Sequence, residues 1–132
     1  MQIYVVDDDS DLRKSVSISL KAAGFSVQSF ATADAFISVA NDLTPGCVLL
    51  DYCMPGLDGF EAQRLLQFSD SLHRIILCTG VGEIPEAVRA MRAGAVDVLA
   101  KPYRRGELLD AIARAGAELE KLISSRSVPT AS

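Results

Sequence analysis

Four short, largely apolar runs and one β-like stretch punctuate this chain, and helix-period segments separate them. The runs are Ile3–Val6, a β-like Phe25–Phe30, Cys47–Leu50, Ile75–Cys78 and Val96–Leu99. Brief, continuously apolar runs suit strands buried on both faces of a sheet. After the first, Leu12, Val16, Leu20 and Ala23 recur at helical spacing, with Gly24 as the stop. Thr32 is placed to cap a helix carrying Ala35, Phe36 and Val39, and Pro45-Gly46 marks a turn before the third run. Asp58 is placed to cap a helix with Phe60, Leu65 and Leu66 facing inward. Pro85 suits the first turn of a helix with Ile84, Val88 and Met91 on one stripe, ended by Gly94. Leu108, Ile112, Ala115, Leu119 and Leu122 stripe a long last helix. Five βα units in alternation imply an α/β fold: a parallel sheet, right-handed crossovers and helices on both faces.

The chain has 132 residues, the size of one domain, and no internal boundary or repeat divides it. The expected domain is residues 1–123, with residues 124–132 as a frayed tail or the start of a linker. A net charge of −4 argues against a nucleic-acid surface on this chain, since phosphate binding needs clustered Lys and Arg. No apolar run approaches the ~18 residues of a membrane span. The amino terminus enters a strand-like run with no signal-peptide pattern. Cys47, Cys53 and Cys78 lack metal-ligand spacing, so free thiols in the cytoplasm are the expectation.

Chemistry-bearing residues gather where the runs end. The first run leads into Asp7-Asp8-Asp9-Ser10-Asp11. These open like a calcium-binding EF-hand loop, but Leu12 stands where the turn glycine belongs and Ile18 where the bidentate glutamate belongs. Asp9 or Ser10 capping the next helix, with Asp11 favouring its dipole, explains part of the cluster. Asp7 and Asp8 are left as adjacent like charges at a strand end, a conflict that a divalent cation removes. Hard oxygen donors suit Mg²⁺.

Asp51 ends the third run and opens Tyr52-Cys53-Met54-Pro55-Gly56. An aspartate held at a strand tip beside a cation can act as a nucleophile toward phosphorus and form an acyl phosphate. Thr79 and Gly80 end the fourth run; a hydroxyl and a slim backbone amide offer two donors to a phosphoryl oxygen. Lys101, between the fifth run and Pro102, is placed to aim an ammonium inward, and Lys101-Pro102 is a candidate cis peptide. In open parallel sheets ligands bind beyond the carboxyl ends of the strands, where these residues would meet.

Val5-Val6-Asp7-Asp8-Asp9, the stretch from Asp51 to Gly59, Thr79-Gly80 and Lys101-Pro102 resemble the receiver (phosphoacceptor) domain of bacterial two-component response regulators. The likeness covers roughly residues 2–122. Within that family, the segments Thr79 to Val88 and Met91 to Asp97 resemble the FixJ-like subgroup, whose members usually carry a DNA-binding domain. The resemblance implies a doubly wound (βα)5, flavodoxin-like or CheY-like fold with a five-stranded parallel sheet in order 2-1-3-4-5. It implies that Asp51 takes a phosphoryl group from a sensor histidine kinase. Asp8, Asp51 and the Cys53 carbonyl would bind Mg²⁺, and Asp7 would act through a metal-bound water. Lys101, Thr79 and Gly80 would hold the phosphoryl oxygens. Such a chain is a signalling domain that catalyses only its own phosphorylation and dephosphorylation. The expected output is transcription through a DNA-binding domain, and a homodimer through the last helices and strand is expected from the resemblance alone.

Two positions depart from the family pattern. Val98 stands where a Phe or Tyr usually lies three residues before the lysine, so an aromatic flip has no ring to move. Cys53 sits two after the nucleophile, near the attacking water of dephosphorylation; it either slows hydrolysis to the order of hours or merely packs. His73, before the fourth run, reads as a surface residue, and Tyr103 could add to a partner surface. The rival enzyme class is a haloacid-dehalogenase-like phosphatase, which would use Asp7 as nucleophile; Asp11 stands where its motif needs Thr or Val. The rival non-enzyme class is an interaction module that has lost phosphorylation.

Overall fold

The computed structural model describes residues 1–52, 59–68, 71–80 and 84–127. Strand and helix alternate as β1 (Gln2–Val6), α1 (Ser10–Ala22), β2 (Ser26–Phe30), α2 (Ala33–Ile37), β3 (Cys47–Asp51), α3 (Gly59–Phe68), β4 (Arg74–Thr79), α4 (Ile84–Arg92), β5 (Asp97–Ala100) and α5 (Arg105–Ser127). All strand pairs are parallel, and the order is β2-β1-β3-β4-β5. This is the doubly wound order expected.

Side-chain alternation sorts the strands into two cores. Tyr4, Val6, Val48, Leu50, Ile75 and Leu77 meet Phe36 of α2 and Ala62 and Leu66 of α3. Ile3, Val5, Leu49, Ile76 and Leu99 meet Val16 and Leu20 of α1 and Leu108, Ile112 and Ala115 of α5. β1 and β3 are buried at almost every position because both faces are covered. Burial of each large aliphatic side chain contributes about 1.5–3 kcal/mol, so these two layers carry most of the favourable free energy.

Local chemistry sets the helix ends. Asp9 caps α1, its carboxylate accepting from the amides of Asp11 and Leu12. Thr32 caps α2 by accepting from the Ala35 amide. Gly24 follows α1 at φ 96°, a left-handed conformation that a side chain disfavours. Gly46, before β3, is required for a different reason. A Cβ there would lie 2.3 Å from the Gln2 carbonyl oxygen of the neighbouring strand.

The amino-terminal end of the sheet holds a buried polar clasp. The His73 Nδ1 accepts from the Gly46 amide at 3.2 Å, so the proton sits on Nε2, which donates to the Ala40 carbonyl at 2.8 Å. Tyr4 packs edge-on against this ring and donates its hydroxyl to the Thr44 carbonyl. Burial pushes the imidazole pKa down, against the two backbone hydrogen bonds that raise it.

Several sequence expectations need correction. His73 is buried, not a surface residue. Leu65 is exposed; only Leu66 of that pair faces the core. α2 stops at Ile37, and Val39 precedes a single 3-10 turn (Ala40–Asp42) rather than extending the helix. Val88 and Met91 of α4 face solvent. α5 continues through Ser127, four residues into the segment read as a tail. The Asp58 cap, the turn at Cys53 to Gly56, Val81–Glu83 and the end of the tail lie outside the described residues, as do the side chains of Phe60 and Ile84.

Candidate functional site

Chain order and strand order together build the site. From β1 the chain steps to one side for β2, then returns past β1 for β3, so the winding reverses between β1 and β3. A crevice opens beyond the carboxyl ends of the strands at such a switch point. Asp7 follows the last residue of β1, Asp51 is the last residue of β3, Thr79 ends β4 and Lys101 follows β5. The register pairs Val6 with Leu50, Asp51 with Cys78 and Thr79 with Ala100, so all four tips reach one level.

Asp7 and Asp51 are buried, and the ammonium of Lys101 joins them, 2.8 Å from Asp7 Oδ2 and 3.0 Å from Asp51 Oδ1. Burial works to lower the Lys101 pKa, but hydrogen bonds to Asp7 and Asp51 and their charges outweigh it and hold the ammonium protonated. The other oxygen of Asp7 accepts the Asp9 amide at 3.0 Å. Asp8 is exposed and makes no hydrogen bond or ion pair among the described residues, yet one of its oxygens lies within 4.8 Å of oxygens of Asp7 and Asp51. Three carboxylates against one ammonium leave two formal negative charges at the rim. Clustered hard oxygen donors with that excess fit a divalent cation such as Mg²⁺.

The remaining expected site residues fall on the same rim or beyond description. The Thr79 residue is buried, and its carbonyl accepts the Lys101 amide at 2.6 Å; Gly80 follows it. The Lys101-Pro102 peptide is cis, as expected. Cys53 lies outside the described residues, so its carbonyl has no place in this geometry. Val98 packs against the core beneath α2 and α3. Tyr103 is partly buried and lines a small cleft with Asp9, Leu12 and Lys101, where burial raises its pKa. Cys78, beside Asp51 in the register, is buried, and loss of solvation pushes its thiol up to about 12, so it is no nucleophile. Arg13 was not anticipated. Its guanidinium donates to the Asp7 carbonyl at 2.6 Å and steadies the β1 tip. The signal was a cation in the first turns of the helix after the acidic run.

The family model for the response regulator receiver domain matches residues 3–113. The chain belongs to that family. It is 41% identical over 126 residues to the transcriptional regulatory protein FixJ of Bradyrhizobium diazoefficiens, covering 96% of this chain and 62% of the relative. It is 41% identical over 110 residues to the response regulator TodT of Pseudomonas putida, covering 83% of this chain and 48% of TodT. This receiver therefore spans roughly half to less than two thirds of those relatives' length. Among solved structures it resembles the FixJ-N crystal structure, with a TM-score of 0.84, 37% identity and coverage of 88% of this chain and 93% of that one. Full-length FixJ from B. japonicum gives a TM-score of 0.87 at 41% identity over 94% of this chain and 61% of that one. A receiver domain belongs to a signalling family rather than an enzyme class. Among the described residues no helix is long and apolar enough to cross a membrane.

Proposed function

We propose that this receiver accepts a phosphoryl group on Asp51 from a phosphohistidine of a sensor histidine kinase, with Mg²⁺ bound by Asp8, Asp51 and the Cys53 carbonyl. The observation that carries the proposal is the shared anchorage of Asp7 and Asp51 on one ammonium at the sheet's switch point. An Asp51 oxygen attacks phosphorus, the P–N bond to the donor imidazole breaks, and an acyl phosphate forms. Bound Mg²⁺ would supply charge neutralisation for the incoming phosphoryl oxygens. Lys101 is held where it can exchange its contact with Asp51 for a phosphoryl oxygen, and Thr79 and Gly80 offer donors from β4. Positioning and electrostatics do most of such a transfer. Both oxygens of Asp7 are held, one by the Asp9 amide and the other by the ammonium.

The coupled output follows from the same rim. The Thr79 side chain moves toward the new anion, and α4 repositions with it. Val98 is too short to add a ring flip to that movement. The output proposed is transcription, through a DNA-binding domain such as the longer relatives' regulatory names suggest, in the cytoplasm, with dimerisation through α4, β5 and α5. The receiver is taken as residues 1–123, with the last turn of α5 reaching past that bound to Ser127. Cys53 cannot orient a hydrolytic water as an amide can, so the acyl phosphate should last for hours; a half-life of minutes removes that part of the proposal.

The deciding experiment is incubation of the purified chain with acetyl phosphate and Mg²⁺, followed by mass analysis of the labelled peptide. Hydroxylamine-labile phosphate on Asp51 that fails to form when EDTA is present from the start is the expected result. Label on Asp7, or turnover of a generic phosphate ester, would point to a phosphatase, and no label at all to an interaction module.

A further inference from the structure

The outer face of α1 and the open edge of the sheet run away from the carboxylate rim, which they adjoin at Arg13 and Phe30. β2 is an edge strand, paired only with β1. The Phe30 carbonyl accepts the Asp7 amide at 3.1 Å, so Phe30 turns its backbone groups toward β1. Alternation along a strand then turns those of Gln28 and Ser26 the same way, and those of Val27 and Ser29 outward. No hydrogen bond among the described residues reaches these outward groups. Open edges are usually blunted by Pro, by charge or by a bulge. Ser26-Val27-Gln28-Ser29-Phe30 carries none of these in its sequence.

A groove beside that edge is lined by Val27 and Ser29 of β2 and by Lys14, Ser17, Ile18 and Lys21 of α1. Lys14 and Lys21 are exposed, and neither pairs with a carboxylate among the described residues. Ile18, on the same face, is 65% exposed. A chain of net charge −4 thus presents two unpaired ammoniums and an apolar side chain next to unpaired backbone donors and acceptors.

We propose that β2 is a docking edge for an acidic, extended segment of a partner protein, which adds to the sheet as an outer strand. Its backbone would pair with Val27 and Ser29, and its alternate carboxylates would face Lys14 and Lys21. The two lysines stand ~10.5 Å apart along α1. Same-face residues of a strand advance ~6.7 Å each, a spacing that flexible lysine stems can span. A second copy is a worse occupant. Antiparallel pairing of two β2 edges would set Lys14 and Lys21 of one copy near those of the other. A nucleic acid would leave the outward amides without strand partners. This inference is independent of phosphorylation at Asp51.

The test uses a capped synthetic peptide of alternating Glu and Val, followed by fluorescence anisotropy and by amide exchange. One control replaces every Glu with Lys, and another replaces every Val with Pro. Saturable binding of the Glu–Val peptide alone, with slowed exchange at the Val27 and Ser29 amides, is expected. Lys14→Glu/Lys21→Glu should weaken it roughly tenfold, because two attractive pairs become repulsive. Ser29→Pro should abolish it while sparing the ladder to β1, since that N–H points outward. Acetyl phosphate labelling of both variants should match the parent, reporting an intact fold. Equal binding of the Pro control would reduce the effect to charge alone and overturn the proposal. So would no binding at millimolar peptide, an unchanged affinity in the lysine variant, or protection of Val27 and Ser29 through self-association.

Discussion

The sheet carries a buried polar cluster at each end, and the two are opposites. At the carboxyl end Asp7, Asp51 and Lys101 are charged, Asp8 is exposed beside them, and negative charge is in excess. At the amino end His73, Gly46, Ala40, Tyr4 and Thr44 are neutral, and each hydrogen-bonding group named there has its partner. A satisfied neutral network inside a protein fixes one arrangement of the chain. A charged cluster with an open side is incomplete until something arrives. The contrast separates a cluster suited to architecture from one suited to chemistry, although each is built around buried polar side chains.

The largest expected effect is at the charged end. Asp51→Asn removes the nucleophile but keeps the side-chain shape, so acyl-phosphate formation should vanish while circular dichroism and thermal unfolding stay close to the parent. Retained labelling would place the chemistry elsewhere. Next comes Gly46→Ala at the neutral end. Its Cβ would meet backbone rather than a flexible side chain. The strand must shift, at a cost on the order of 3 kcal/mol in denaturant unfolding. Phosphorylation of whatever fraction remains folded should be normal.

Mg²⁺ distinguishes the two ends by ligand. A cation bound only by the native state stabilises by RT ln(1 + [L]/Kd), about 2.7 kcal/mol at a hundredfold excess over Kd. Mg²⁺ should raise the melting temperature of the parent and should do so much less for Asp8→Ala, read by calorimetry. A smaller effect comes from protons. Burial depresses the His73 pKa, so the native state holds the ring neutral while the unfolded chain still binds a proton near the ordinary value of 6.5. Stability from this group is present above that value and is lost as pH falls through the native pKa. Protonation would place a hydrogen on Nδ1, facing the Gly46 amide. His73→Gln should flatten the stability profile between about pH 7 and pH 5; an unchanged slope would mean that other groups set it. The chain has a single histidine, so the assignment is clean.

The charged end was far more legible in the sequence than the neutral one. Asp7, Asp51, Thr79 and Lys101 stand at the tips of apolar runs, and parallel alternation brings such tips to one rim. Nothing comparable marks His73. Its partners are the backbone groups of Ala40 and Gly46, 33 and 27 residues away, and backbone groups leave no trace in a residue string. Periodicity also identifies an apolar face without saying what covers it: Val88 and Met91 share one stripe of α4, and that stripe faces solvent. Leu65 and Leu66 are about 100° apart on α3, and only one of them can point at the sheet. Ser124 to Ser127 look like linker by composition, yet α5 carries through them as a continuation of a helix already anchored at Leu108, Ile112 and Ala115.

The smallest expected effect is the sharpest test of whether the two clusters are separate. β3 joins them: Gly46 precedes it and Asp51 ends it, ~16 Å of extended chain. Changes that far apart with no shared partners should add to within roughly 0.5 kcal/mol. The Mg²⁺-induced stabilisation should therefore be the same in His73→Gln as in the parent. A rigid, fully paired strand offers one arrangement, and coupling needs an element with two. If the Mg²⁺ effect instead changes by more than about 1 kcal/mol, β3 has a second register or tilt that both ends sense. By reciprocity, cation binding at Asp8 and Asp51 would then alter the proton affinity of His73 by the same free energy. In that event the neutral clasp is part of the switch, and acid titration with and without Mg²⁺ would show the His73 transition move.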